Sequence, residues 1–248
     1  MQPHRWARAQ RSLDYPCPVC QNGALRPIKD TFKQVENENS QSHDGEGNPT
    51  PEDMEWRFSA LLKCTNTACA GVASITGRKF IEPPQYGEDH ETVFYRPNSI
   101  TPGPLPIPLH TAYPNAVSDQ VRKAATLFWA DPGAAANRIR QAVDEMLTEQ
   151  GVARYAKPDS SSPIPLQQRI NAFKELQDGK FAEIAAFLEA IKWLGNAGSH
   201  DGDLKAAEVL DAFDILGHVL EEIYIQPKAK LLAKVAKLNA AYAPPKKA

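Results

Sequence analysis

Between Glu55 and Lys63 apolar and polar side chains roughly alternate, and the stretch from Gly71 to Gly77 repeats the pattern. Successive side chains of a strand point to opposite faces, so a period of two predicts two strands, each with one buried face. From Glu36 to Asp53 the chain is instead polar and rich in turn formers, above all Ser42 to Pro49, and predicts a loop between strands. Prolines then crowd the stretch from Glu82 to Pro114, with four between Thr101 and Pro108. Because proline fixes φ and lacks an amide donor, this run predicts an extended linker, read as a semi-rigid spacer.

Beyond Pro114 the period becomes helical. Ser118 is a candidate cap for a helix running to about Trp129, and Asp131 followed by Pro132 caps the next. There Ala135, Ile139, Ala142, Val143, Met146 and Leu147 form one apolar stripe, ended by Gly151. Leu166, Ile170 and Phe173 share a face of a third helix, and Ile184, Leu188 and Ile191 mark a fourth from about Lys180. With Asp203 as cap, Leu210, Phe213, Leu216, Leu220 and Ile223 line a long helix that Pro227 should stop or kink. Lys228 to Leu238 is a basic amphipathic tail, expected to dock through Leu231, Val235 and Leu238.

These periods predict an α+β protein. Residues 1–82 read as a small β domain, 83–114 as the linker, 115–226 as a helical bundle and 227–248 as the tail. A hydrophobic content of 42% supports a core, while a net charge of −2 leaves any attraction to nucleic acid to a local patch. No stretch approaches a membrane span, and no apolar h-region follows Met1 to Trp6, which predicts a cytoplasmic protein with no membrane partner.

The cysteines carry the sharpest chemistry. Cys17 and Cys20 form a C-x-x-C knuckle, and Cys64 and Cys69 a looser second one between the two predicted strands. Two short turns of this kind can present four thiolates to one tetrahedral ion, so the spacing favours a structural zinc in a zinc-ribbon-like domain. The competing readings are a redox pair, a disulfide or inert buried thiols. The first would be expected beside a βαβ pattern, and a disulfide is disfavoured in a reducing cytosol. His43, in the polar loop, is read as solvated.

A second candidate site lies between the last two long helices. Trp193 to Gly202 carries Gly195, Gly198 and Gly202 together with Asn196 and His200, which predicts a turn. An imidazole there can act as a general acid or base near neutral pH, and Asn196 can orient it. The same residues can be purely structural, with Asn196 capping and the glycines permitting positive φ or close helix approach.

The succession of Ala134 to Val143, Leu166 to Ile170 and Leu194 to Gly202 resembles an uncharacterised bacterial helical domain of the HEPN superfamily. That resemblance covers about residues 115 to 225. It implies a HEPN-like bundle behind a zinc ribbon, a phage-defence or restriction-type context, and dimerisation through the bundle. Active HEPN ribonucleases carry an Arg-Asn-x-x-x-His element, onto whose second and last positions Asn196 and His200 fall. The arginine position is Gly195, which supplies no charge to a pentavalent phosphorus. Lys192, Arg138 or Arg140 are the cations available to replace it. The resemblance therefore implies a non-catalytic adaptor of a bacterial defence or stress system that recognises a protein partner or nucleic acid. The alternative it leaves is a metal-independent ribonuclease using His200.

Overall fold

The computed structural model describes residues 3–37, 40, 54–82, 91–157, 159, 161–176, 179, 181–200 and 204–242, with backbone alone at 199 and 200. The architecture is α+β, a curled antiparallel sheet followed by six helices. The strands are β1 (Tyr15–Pro16), β2 (Ala24–Pro27), β3 (Lys33–Glu36), β4 (Glu55–Cys64), β5 (Val72–Glu82) and β6 (Thr92–Thr101). They pair in the order β1-β2-β4-β5-β6, with β3 also on β4 beyond the end of β2. Phe58, Ala60 and Leu62 of β4 and Ala73 and Ile75 of β5 are buried on one face, as their alternation predicts. Most of the expected loop from Glu36 to Asp53, with His43, lies outside the described residues.

The stretch read as a linker has a different role. Thr92 to Thr101 is β6, paired with β5 from Glu82 to Ser74. Its Pro97 is tolerated because it stands opposite Gly77 at a register shift, on a strand whose other side, among the described residues, meets only a bridge from Gln10 to Tyr95. Beyond it Leu105, Ile107 and Tyr113 are buried, and Gly103 lies so close to the helix Asn115–Leu127 that a Cβ there would come 2.3 Å from the Ala125 carbonyl oxygen. Proline density signalled an extended backbone, but the apolar residues between the prolines press that backbone against the helices.

The helices are α1 (Asn115–Leu127), α2 (Pro132–Glu149), α3 (Leu166–Lys174), α4 (Ala182–His200), α5 (Ala206–Leu220) and α6 (Pro227–Tyr242). Ser118 does not cap α1; it is buried one turn inside a helix that starts behind Pro114. Asp131 does cap α2, accepting from the Ala134 amide at 2.8 Å, and Gly151 ends that helix at φ +84°. The expected cap Asp203 lies outside the described residues; Glu208 accepts from the Lys205 amide at 2.9 Å at the start of α5. A π-turn from Glu221 to Ile225 and left-handed Gln226 precede α6, where Pro227 sits at the first position. Leu231, Val235 and Leu238 of α6 are exposed, so the expected docking of the tail does not occur among the described residues.

Sheet and helices share one core. Trp129, after α1, meets Trp6 at 5.6 Å and Tyr15 at 5.4 Å between ring centroids. Within the bundle, Arg169 of α3 is fully buried and completely engaged. It donates to Asp144 Oδ1 at 2.5 Å, to Thr148 Oγ1 at 2.8 Å and to the carbonyls of Asp144, Val152 and Ala153. This guanidinium ties the last turns of α2, through Asp144 and Thr148, to the backbone that follows the helix at Val152 and Ala153. Arg169→Ala should therefore lower unfolding free energy by about 3–5 kcal/mol, the range for breaking a buried, fully bonded ion pair, as read by urea denaturation.

Candidate functional site

Two hairpins bring the cysteines together. Cys17 and Cys20 lie in the loop from β1 to β2, Cys64 is the last residue of β4, and Cys69 lies in the connection from β4 to β5. Pairing of Leu25 with Cys64 and of Lys63 with Val72 places these loops side by side. The four Sγ atoms all lie within 4.8 Å of one another. Cys17 and Cys69 are 3.9 Å apart and Cys20 and Cys64 3.7 Å, far beyond disulfide length. A tetrahedral ion with sulfur ligands near 2.3 Å sets its sulfurs about 3.8 Å apart, so the cluster fits one thiophilic metal ion.

Backbone amides and two glycines shape the surroundings of the sulfurs. Backbone amides of Asn66 and Gly71 donate to Cys64 Sγ at 3.4 Å and Cys69 Sγ at 3.3 Å. A Cβ at Gly23 would stand 2.5 Å from Cys64 Sγ, and one at Gly71 2.9 Å from Cys17 Sγ, so both glycines leave the room the sulfurs occupy. The Asn22 amide holds the Cys20 thiol down to about 6, whereas burial pushes Cys64 up to about 12. Spacing in the sequence singled out all four clustered cysteines, whereas the glycines and amides around them carry no sequence signal of their own.

At the second candidate site the structure corrects the sequence reading. Gly195, Asn196 and Gly198 do not form a turn: α4 runs as a helix to His200. Neither Gly195 nor Gly198 has positive φ. Their smallness instead lets α4 cross α2 at backbone contact. A Cβ at Gly198 would lie 2.9 Å from the Gly133 carbonyl oxygen, and one at Gly133 2.6 Å from that of Gly198. At Gly195 it would lie 2.7 Å from Arg140 Cβ and 3.2 Å from the Ala136 carbonyl oxygen. The helical glycines, costly in isolation, are offset by packing that only they permit. Asn196 is half-buried, the His200 side chain is outside the described residues, and so are Asp201, Gly202 and Asp203.

The candidate replacement cations are placed unequally. Lys192 is buried; its Nζ donates to Gln167 Oε1 and lies 3.4 Å from the centroid of the Trp193 ring. Arg138 donates to Gln141 Oε1 at 2.7 Å. Only Arg140 lies directly against position 195, its Nε donating to Asn137 Oδ1 at 3.3 Å.

Two family models match parts of the chain. One, described as Domain of unknown function (DUF4145), matches residues 122–241, and the other, Domain of unknown function (DUF8608), residues 7–99. No curated protein and no solved structure gives a significant match.

Two outcomes follow. Purified protein should carry about one thiophilic ion per chain, lost in Cys17→Ser with a lower Tm; because thiols must shed protons to bind it, affinity should weaken as pH falls from 8 to about 5, read by metal analysis after dialysis. Gly198→Val should destabilise by about 1–3 kcal/mol through overpacking, measured by thermal unfolding.

Proposed function

We propose that this chain is a non-catalytic binding protein, in which a zinc-ribbon-like sheet and a HEPN-like bundle present surfaces to a protein partner or nucleic acid. The observation that carries this reading is the helix crossing at Gly195. An arginine there has no room, since even its Cβ would meet the Arg140 Cβ and the backbone of Ala136. The position that charges a HEPN ribonuclease site is used in this chain for packing. Four cysteine ligands would also leave a zinc ion no open coordination position for substrate, which suits a structural role. By resemblance, the setting is a bacterial defence or stress system, with a homodimer formed through the bundle.

A ribonuclease reading retains one specific support. Arg140 enters from α2 the space beside Gly195, so a guanidinium from a neighbouring helix stands near the absent one. Its fork would supply bidentate charge that an ammonium such as Lys192 lacks.

The test separates these readings. On total RNA with EDTA present, wild type, His200→Ala and Arg140→Ala should leave the substrate equally intact. Cleavage by wild type that both substitutions abolish would replace the adaptor by the nuclease. Affinity capture from the native host, with mass spectrometry and sequencing of bound nucleic acid, should then recover a stable partner. Recovery of none would sink the adaptor.

A further inference from the structure

On the face of the sheet turned away from the core, Arg57, Arg78 and Arg96 stand directly opposite one another across β4, β5 and β6. Like charges in facing register destabilise a sheet, and among the described residues the carboxylate that answers them is Glu55, 3.1 Å from Arg78 and 3.9 Å from Arg57. One row along, Phe80 and Phe94 are cross-strand partners, stacked with centroids 6.0 Å apart and planes at 21°. Arg96 lies over the Phe80 ring at 5.9 Å and Arg11 over the Phe94 ring at 5.5 Å.

The face continues as a basic field. Arg26, Lys33 and Lys63 share it by register with the three arginines, against the acids Glu55, Glu82 and Asp14 among the described residues, the last paired with Arg26 at 3.3 Å. Between these charges lie exposed Ser59, Ser74 and Thr76. A chain with net charge −2 thus concentrates positive charge on one open face. Folding does not account for it, since three facing arginines oppose strand pairing.

We propose that this face binds single-stranded nucleic acid. The arginines and lysines meet phosphates, and unpaired bases stack on the Phe80 and Phe94 rings and their guanidinium neighbours. Charge complementarity selects a polyanion. The interleaving of flat rings with planar cations selects one whose units are themselves flat, and favours it over an acidic peptide. A duplex keeps its bases stacked inside and can use only the charge. This inference rests on the nucleic-acid arm of the reading above and locates it on the sheet rather than on the bundle.

The test is fluorescence anisotropy of the metal-loaded full chain with labelled oligo-uridine and oligo-deoxythymidine of about 20 nucleotides, a matching duplex, and a polyglutamate peptide. Expected is binding of both single strands in preference to duplex and peptide, with log affinity falling against log salt at a slope of about −2 to −3, for three or four phosphate contacts. The double variant Arg57→Glu/Arg96→Glu, at two exposed positions, should weaken it about tenfold or more and flatten that slope. Phe94→Leu should weaken it severalfold with the slope unchanged. Metal content and Tm equal to wild type certify folding. No binding at about 100 µM overturns the proposal, as does wild-type affinity in the double variant, or polyglutamate binding as tight as the single strands. If substitution of Lys230 and Lys234 on α6 abolishes binding while the double variant does not, the sheet site falls and the nucleic-acid reading of the protein stands.

Discussion

Four sulfurs drawn within 4.8 Å of one another are the arrangement on which the sheet depends. As thiolates they repel, and as thiols they make only weak hydrogen bonds, so the polypeptide has little reason of its own to gather them. An ion at their centre would turn that repulsion into the strongest contact in the region. Its effect extends beyond the loops, because Cys64 ends β4 and pairs with Leu25. Fixing the loops fixes the register of β2 and β5 on β4. A slip of one residue would turn Phe58, Ala60 and Leu62 outward and the arginines inward. The cysteine cluster and the open basic face are thus linked through strand register, though they share no side chain.

The helices solve a similar problem without an ion. Gly133 and Gly198 bring two backbones to contact, and Gly195 makes the space in which Arg140 lies. Arg169 then ties the far end of α2 to α3 by bonds to both side chains and carbonyls. Backbone contact at one end and a buried guanidinium at the other hold α2 as the axis of the bundle. The stretch read in the sequence as a candidate acid–base site serves first as a packing device.

What could be read from the sequence follows the range of the forces involved. The cysteines, the alternation in β4 and β5, the Asp131 cap and the apolar stripe of α2 are local signals that survive into the structure. Gly195 and Gly198 were ambiguous because a glycine has the same sequence signature whether it breaks a helix or admits a neighbour. The partners on α2 decide between them: Gly133 for Gly198, 65 positions earlier, and Arg140 with Ala136 for Gly195. Pro97 misled for a related reason, since an edge position that tolerates proline is a property of the sheet. The row of Arg57, Arg78 and Arg96 was invisible because it exists only once two registers are fixed.

Trp129 closes against Trp6 and Tyr15, and Gly217 of α5 receives Ile107, where an added Cβ would meet Ile107 Cγ2 at 3.1 Å. The two family models divide the chain between residues 99 and 122, but the core is not divided there. Each half keeps part of the other's interior on its own surface. In an evolving lineage, such halves are not freely exchangeable modules. A bundle moved to another N-terminal partner would carry an uncovered tryptophan and an empty seat on α5, and natural selection would have to remodel both before the new pairing could become soluble.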